Sequence, residues 1–470
     1  MGTYDDFEFE NTDDLKLSVE RYEEMLRKKD LYFFDSGVFE GLIDYYFEKN
    51  DPLKALKVSK LALSQHPYNN SFLIKQAQLL IATDKCGIAL KVLNQAIALE
   101  PSESEAFVAR SSALEGLGRY DDAMESLNHA LTLSDFPEEI YIGMAYVQQN
   151  KGDYLEAVEA LKKCLEVNPQ NLDALYEIAF CYEIIEKPEE AIKFYNDFID
   201  EEPYSYVAWY NLGNTYNALL LFEKAIDSYD YAILIQEDFS SAYFNKGHTL
   251  MSLERNAEAI LCFKQTFEFE PPNAETHSNI GECYEKLGMM NESRSYYKKA
   301  VKLDKDHAEA WYGIGLTLEA EERWFESVHF FKTALNLEEW NPDFWYALAE
   351  AYVELNNYSE AETCFKKVIE LGPDTFDVWL DYSAFYMKQD KLAEAISTIA
   401  EGIKYNPEAV ELYYRMAAYC FAIGNNNEAY RNLEYALAMA PEKNELIFDY
   451  LPQLQTNKII IDIINRYCQG

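Results

Sequence analysis

The chain has 470 residues, a formal net charge of −41 at neutral pH and 49% hydrophobic residues. So much negative charge argues against nucleic acid and anionic membrane surfaces as partners, because both are bound through Lys and Arg. The apolar content argues against general disorder. The charge has two readings that both stay open: it keeps a large surface soluble, or it attracts basic partners.

Compartment signals are few. Residues 1–10 are acidic and lack the basic start and apolar run of a secretion signal, and no apolar stretch reaches the length of a membrane span. The eight cysteines lie far apart without CxxC spacing, and most fall on apolar helical faces. We therefore expect buried thiols in a reducing compartment and a cytoplasmic protein.

The N-terminal segment divides into two parts. Residues 1–11 are acidic with scattered aromatics, and we expect them to be flexible. Residues 12–35 are predicted to form a capping helix that starts near Asp13, with Asn11 or Thr12 as its cap. Its apolar stripe consists of Leu15, Val19, Tyr22 and Leu26.

From Ser36 to Lys443 the sequence repeats every 34 residues without insertion or deletion. Prolines keep this register at positions 67, 101, 169, 203, 271, 373, 407 and 441. A small residue occupies the twentieth position of each unit: Ala55, Ala89, Ala123, Ala157, Ala191, Ala225, Ala259, Ser293, Ser327, Ala361, Ala395 and Ala429. The eighth position is small in all units but the first. Such columns predict close packing of two helices in each of twelve units.

A turn column separates the two predicted helices of a unit. Its residues tolerate the left-handed conformation that ends a helix: Asn50, Asp84, Gly118, Gly152, Gly288, Asn356, Asp390 and Gly424. Pro52 and Pro188 follow it at the opening of a second helix, where a missing N–H costs nothing.

The fullest copy of the repeat runs from Trp209 to Tyr216. Trp209, Leu212, Gly213 and Tyr216 share one helix face, and Ala225, Tyr229 and Ala232 continue the pattern on a second helix. This pattern resembles the tetratricopeptide repeat, a helix–turn–helix unit of 34 residues. The resemblance implies an all-α, right-handed α-solenoid superhelix, with twelve repeats in one continuous run over residues 36–443.

Residues 444–470 begin a thirteenth unit and then depart from the pattern. We expect capping helices there, with a dimerisation helix as the alternative. The predicted apolar face comprises Ile459, Ile460, Ile463, Ile464 and Tyr467.

No arrangement typical of catalysis stands out. The six histidines show no HExxH or Cys/His ligand spacing, and neither a phosphate-binding glycine loop nor a GxSxG elbow is present. We expect no enzyme activity, no cofactor and no metal. An enzyme with an unrecognised site in the groove remains the distant alternative.

In tetratricopeptide proteins the first helices line the concave surface, and their second, fifth, sixth, ninth and twelfth positions face ligands. Here the fifth position is aromatic in many units, and the sixth is Asn in three successive units, which resembles the asparagine ladder of the O-linked GlcNAc transferase family. Packing between repeats is the alternative role for the same side chains. The predicted binding residues are Tyr176, Tyr210, Asn211, Asn214, Phe244, Asn245, Asn279, Tyr312 and Tyr346.

The second position is acidic in eight units: Glu105, Glu139, Asp173, Glu275, Glu309, Asp343, Asp377 and Glu411. These carboxylates either stabilise the helix N-termini or form a negative wall for Lys- and Arg-bearing peptides. The inner positions lack the Lys and Arg set with which chaperone-binding members of the family hold a C-terminal carboxylate, since Lys75 and Arg415 stand isolated.

The sequence thus predicts a non-catalytic scaffold or adaptor that binds an extended protein segment, basic or neutral, in its concave groove. A self-assembling subunit of a multiprotein complex is the alternative, so a homo-oligomer stays open.

Overall fold

The computed structural model describes the backbone of residues 5–468 and the side chains of residues 15–468. Every regular element in that range is helical, so the predicted all-α repeat fold is confirmed. The chain divides into two compact units, Met1–Glu237 and Asp238–Gly470. This division falls between the sixth and seventh repeats, where the 34-residue register continues without a shift.

Unit 1 opens with helix α1, Asp5–Lys28, which packs against the first repeat. This helix starts before the cap expected at Asn11 or Thr12, in a stretch without Pro or Gly to end it. Residues 1–4 of the predicted flexible segment lie outside the described residues. Tyr22 is buried as expected, whereas Leu26 is exposed and Met25 takes the buried place beside Tyr22.

Six helix pairs follow in unit 1, and each first helix packs against its own second helix. They are α2 Ser36–Glu48, α3 Pro52–Gln65, α4 Asn70–Ala82, α5 Cys86–Leu99, α6 Ser104–Glu115, α7 Tyr120–Leu133, α8 Glu138–Lys151, α9 Tyr154–Val167, α10 Leu172–Ile184, α11 Pro188–Glu201, α12 Tyr206–Ala218 and α13 Phe222–Ile235.

Unit 2 contains six further pairs and two closing helices. They are α14 Ser240–Ser252, α15 Asn256–Phe269, α16 Ala274–Lys286, α17 Met290–Leu303, α18 Ala308–Glu319, α19 Trp324–Leu337, α20 Pro342–Glu354, α21 Tyr358–Leu371, α22 Phe376–Met387, α23 Leu392–Tyr405, α24 Val410–Ala422, α25 Asn426–Met439, α26 Leu446–Tyr450 and α27 Lys458–Cys468.

Small residues allow the two helices of a repeat to approach each other. All twelve residues of the twentieth-position column are buried. At the eighth position of the central repeats, an aromatic ring of the second helix lies directly over a glycine. A Cβ added to Gly315 would lie 2.3 Å from the Phe331 ring, and one added to Gly213 would lie 2.6 Å from the Tyr229 ring. The glycine is therefore required by the ring opposite it.

The turn between the two helices is left-handed in every repeat. The sequence pattern identified eight of these twelve positions, and the structure adds four with φ between 53° and 59°: Glu186, Leu220, Glu254 and Glu322. Neither Glu nor Leu favours this conformation, so these turns are imposed by the packing of the helices that they join.

A repeated hydrogen bond secures the loop that precedes a repeat. The indole Nε1 of Trp209 donates to the Pro203 carbonyl at 3.0 Å, and that of Trp311 donates to the Lys305 carbonyl at 2.9 Å. Trp345 and Trp379 make the equivalent bond with the carbonyl six residues earlier. The aromatic residue at the fourth position therefore fixes the loop as well as filling the core.

The C-terminal helix α27 packs against the last repeat with a narrower face than predicted. Ile460, Ile463 and Ile464 are buried in a cluster that includes Tyr414 and Leu437. Ile459 is instead 59% exposed, because it lies outside the face that the other three isoleucines define, and Tyr467 is exposed as well. The thirteenth unit stops early, since Pro452 follows the short helix α26.

The cysteines behave largely as predicted. All eight lie among the described residues and are free thiols. Six are buried, Cys262 is half-buried and Cys468 is exposed.

The ring-over-glycine contact predicts opposite effects for one substitution at two positions. Gly315→Ala should destabilise the protein by about 1–3 kcal/mol, because the new methyl group overlaps the Phe331 ring. Gly87→Ala, on exposed α5 surface with no atom within 4 Å, should stabilise it by about 0.5–1 kcal/mol through helix propensity. Urea unfolding followed by circular dichroism measures both. Equal effects at the two positions would contradict the packing argument.

The left-handed turn at Leu220 predicts a stabilising substitution. Leu220→Gly should raise the free energy of unfolding by about 0.5–1 kcal/mol. Gly relieves a backbone strain of about 1–2 kcal/mol in the folded state, but part of this gain is offset because Gly also increases the conformational entropy of the unfolded chain. Leu261→Gly, at an exposed position inside α15, is the control and should cost about 1 kcal/mol. A loss of stability with Leu220→Gly would show that the turn is unstrained.

Candidate peptide-binding surface

All the predicted binding residues lie on first helices. In unit 1, Tyr176 lies on α10, and Tyr210, Asn211 and Asn214 lie on α12. In unit 2, Phe244 and Asn245 lie on α14, Asn279 on α16, Tyr312 on α18 and Tyr346 on α20.

Asn211 links two repeats instead of facing outward. Its side chain is only 2% exposed, and its Nδ2 donates to the Leu175 carbonyl of α10 at 3.1 Å. The buried hydroxyl of Tyr195 donates to the same carbonyl at 3.3 Å. This bond supports the alternative role, packing between repeats, and leaves little of Asn211 for a ligand to reach.

Asn279 makes a similar link in unit 2. Its Nδ2 lies 3.1 Å from Nε2 of His248 on α14. Burial lowers the pKa of His248, so the imidazole is neutral at pH 7 and its Nε2 can accept this hydrogen bond. Asn245, the remaining predicted rung, is half-buried on α14.

Asn214 borders a cavity of unit 1. Its Oδ1 accepts a hydrogen bond of 2.8 Å from the Tyr229 hydroxyl, which orients the amide. The cavity measures about 530 Å³ and lies between α10, α11 and α12. Its walls are mostly apolar, with Asn211, Asn214 and Thr215 on one side and the exposed carboxylates of Glu183 and Glu186 on the other.

The two predicted tyrosines of unit 1 differ in exposure. Tyr176 is 40% exposed, and burial of the remainder raises its pKa to about 12. Its hydroxyl therefore stays protonated at pH 7 and can donate to a ligand. Tyr210 is half-buried, with its ring 6.0 Å from that of Tyr229.

The predicted rings of unit 2 take part in packing. Phe244 lies 5.7 Å from the Phe263 ring, and Tyr312 lies 4.7 Å from the Phe344 ring. Both rings are half-buried, so one part packs in the core and the other reaches the surface. Tyr346 differs, because its hydroxyl donates to Oδ2 of Asp381 on α22 at 2.5 Å.

Asp381 leads to an acidic cavity that the sequence did not reveal. This cavity of about 400 Å³ has an apolar floor that includes Val353, Phe365 and Phe385. Its carboxylates are Glu319, Glu350, Glu354 and Asp381, on first helices α18, α20 and α22. Lys388 is the cation that lines it, and its ammonium pairs with Glu354 at 2.9 Å.

Two carboxylates of the acidic cavity, Glu319 and Glu350, are destabilised in their ionised form. Burial, together with the negative charges of Glu350 and Glu285, raises the pKa of Glu319 to about 7. Burial and the neighbouring Asp381 also raise the pKa of Glu350. Oε2 of Glu319 is buried and accepts no hydrogen bond from any described residue. A positive group in this cavity would lower the raised pKa values of Glu319 and Glu350 and would give the buried Oε2 of Glu319 a partner.

The acidic second position gives a mixed picture. Its carboxylates lie in the first turns of their helices, which suits the helix dipole. Some are already engaged within the chain: Glu105 accepts from Gln78 at 3.1 Å, and Glu411 pairs with Lys443 at 2.6 Å. The second-position carboxylates therefore mainly stabilise the N-termini of their helices. The carboxylates of the acidic cavity are better placed to contact a ligand.

Among the side chains of residues 15–468, no cluster of three or more His, Cys, Asp and Glu is arranged to hold a metal ion. None of the helices within residues 5–468 combines the length and the hydropathy of a membrane span.

These features define a class of protein: an all-α repeat protein built from consecutive helix–turn–helix pairs. Models of the tetratricopeptide repeat match residues 74–136, 240–273, 274–307 and 318–379. A further model, described as anaphase-promoting complex, cyclosome, subunit 3, matches residues 118–198. The chain belongs to the tetratricopeptide repeat family. Its general role is that of a scaffold for protein–protein interaction, as is usual for these repeats.

Solved structures of similar fold include other repeat proteins. The Cut9-Hcn1 hetero-tetramer of the APC/C is 14% identical, covers 86% of this chain and 97% of its own, and gives a TM-score of 0.42. YrrB, a TPR protein with an unusual peptide-binding site, is 22% identical over 39% of this chain and 95% of its own, with a TM-score of 0.33. MamA is 28% identical over 37% and 94%, with a TM-score of 0.32. A search among curated proteins gave no match.

The raised pKa of Glu319 predicts a pH-dependent stability. A carboxyl whose pKa rises on folding from 4.5 to about 7 stabilises the fold fully below pH 4.5, and this contribution is lost as the pH rises to 7. Glu319→Gln removes the titration. The variant should therefore be more stable than the wild type by about 1–3 kcal/mol at pH 8 and about equal to it at pH 4.

Urea unfolding at a series of pH values measures this difference. Glu292→Gln, an exposed position on α17, is the matched control and should show no such dependence. If the difference in unfolding free energy between Glu319→Gln and the wild type is the same at every pH, the pKa of Glu319 is not raised by folding.

Proposed function

We propose that the protein is a non-catalytic scaffold that binds an extended, basic protein segment along its first helices. The acidic cavity of unit 2 is the observation that carries this proposal. It combines an apolar floor with carboxylates whose charge is destabilised by burial and mutual repulsion. A Lys or Arg side chain matches both features, because its alkyl stem covers the floor and its charge neutralises the carboxylates.

Binding at this cavity is linked to protonation. Because burial and neighbouring carboxylates raise the pKa of Glu319 to about 7, this carboxyl is largely protonated just below neutral pH in the free protein. A cation held beside Glu319 favours the ionised form, so binding releases a proton. Affinity for a basic segment should therefore increase as the pH rises.

The predicted aromatic and amide residues contribute around the cavities. In unit 2, the Tyr346 hydroxyl holds Asp381 in place, and Tyr312 and Phe244 offer the exposed parts of their rings. In unit 1, Tyr176 and Asn214 lie at the surface, and the apolar cavity beside Asn214 suits a neutral side chain. Asn211 and Asn279 act by holding successive first helices in register, with Tyr210 and Asn245 beside them.

A labelled peptide tests this proposal. A fluorescein-labelled peptide of alternating Lys and Ala should bind the full chain, and its affinity should rise severalfold between pH 6 and pH 8. Added salt should weaken binding, because screening reduces the attraction. Glu319→Gln combined with Glu350→Gln should lower the affinity at pH 8 at least tenfold, about 1.4 kcal/mol, and abolish the pH dependence.

The control for this experiment has the same net charge. Glu292→Gln combined with Glu360→Gln changes two exposed positions on second helices and should leave binding unchanged. A peptide with acetylated lysines should not bind. If both double variants weaken binding equally, the attraction comes from the net charge of −41 and the cavity has no specific role.

A further inference from the structure

Lysines of this protein repeatedly cover a tyrosine of the next repeat. The lysine occupies the twenty-fifth position of one repeat and the tyrosine the eleventh position of the next. The Lys264 ammonium lies 5.4 Å from the Tyr284 ring centroid and 3.0 Å from its hydroxyl. Lys332 lies 5.4 Å from the Tyr352 centroid. In unit 1, Lys162 and Tyr182 occupy the same two positions, but the Lys162 ammonium pairs with Glu159 of its own helix at 2.8 Å.

The junction between α21 and α22 departs from the arrangement of Lys264 and Lys332. Its residues at the same two positions are Lys366 on α21 and Tyr386 on α22, but the Lys366 ammonium pairs with Glu362 of its own helix at 2.6 Å. A cavity of about 370 Å³ lies at this junction, between the second helices α21 and α23 and above α22. It belongs to the layer of second helices and is separate from the acidic cavity.

Aromatic rings form the walls of this cavity and are held in place by their neighbours. Trp379 and Tyr405 stack with ring centroids 5.7 Å apart and an interplanar angle of 14°. The hydroxyls of Tyr382 and Tyr386 share a hydrogen bond of 2.7 Å. Gly402 admits the indole, since a Cβ at this position would lie 2.8 Å from Cβ of Trp379. The walls are therefore formed before any ligand arrives.

The charges at the cavity are mainly negative. Glu394 and Glu401 line it, both are exposed, and neither forms an ion pair with a described residue. Lys366 lines it too, but its charge is offset by Glu362. Lys391 lies 5.9 Å from the Tyr386 centroid and is outside the lining. Aromatic faces together with carboxylates favour an organic cation.

We propose that this cavity binds an alkylammonium group of another molecule, either a small quaternary amine or a methylated lysine side chain of a protein. The ligand would take the place that Lys264 and Lys332 take over the tyrosine of the next repeat. Tyr405, which is 52% exposed, supplies most of the accessible aromatic surface, because Trp379, Tyr382 and Tyr386 are largely buried. Glu394 and Glu401 supply the charge. This site is independent of the first-helix surface, so the failure of either proposal leaves the other standing.

Titration calorimetry of the full chain with choline tests the cation, and trimethyllysine placed in a short Gly-Ser peptide tests the protein-borne source. Saturable binding of one or both probes is expected, and the tighter probe identifies the source. The neutral isostere 3,3-dimethylbutanol should bind at least tenfold more weakly, because it keeps the shape of choline and lacks the charge.

Variants test the location. Glu394→Gln combined with Glu401→Gln should lower the affinity at least fivefold, and Tyr405→Leu, at a half-exposed wall, should lower it at least threefold. Glu292→Gln with Glu360→Gln serves again as the control of equal charge, and circular dichroism confirms that each variant is folded. Absence of saturable binding by both probes, equal binding of the neutral isostere, or unchanged binding by folded cavity variants would each overturn the proposal.

Discussion

Close approach of the two helices within each repeat is the constraint on which the rest of the structure depends. Gly315 under the Phe331 ring shows how tight it is, since a single methyl group would overlap the ring. The small residue at the twentieth position and the left-handed turn follow from the same requirement, because the second helix must return at close range. Where the turn residue is Leu220 or Glu254, local conformational preference yields to this packing.

The same packing governs the polar groups between repeats. A buried backbone or side-chain group must find a partner, and here the partner comes from the neighbouring repeat. Asn211 satisfies the Leu175 carbonyl, and Asn279 satisfies His248. Arg294 does the same from α17, with its guanidinium bonded to both the carbonyl and the hydroxyl of Thr317. These links specify register between helices whose apolar contacts alone would tolerate sliding.

Much of the fold could be predicted from sequence because its determinants are periodic. A 34-residue register with a small residue at the twentieth position, from Ala55 to Ala429, predicts consecutive helix pairs in which each of these small residues is buried where the helices pack. The site could not be predicted in the same way. Asn211 and Asn279 occupy equivalent positions in sequence, yet Asn211 bonds the Leu175 carbonyl and Asn279 bonds His248, because their neighbours in the adjacent repeat differ. Glu319, Glu350 and Asp381 occupy the twelfth, ninth and sixth positions of three successive repeats, all of which are expected to face ligands, but only the structure shows that they line one cavity.

The acidic cavity and the aromatic-walled cavity between α21 and α23 have one property in common that helix packing does not explain. Each brings together groups from successive repeats that favour a cation, and in each the chain's own lysine pairs with a single carboxylate, Lys388 with Glu354 and Lys366 with Glu362. A protein with 82 acidic and 41 basic residues has too few cations to neutralise all its carboxylates. The unneutralised carboxylates that packing holds away from water, such as Glu319, are the costly ones. Partner recognition would therefore begin at these positions, where a cation from outside supplies what the sequence lacks.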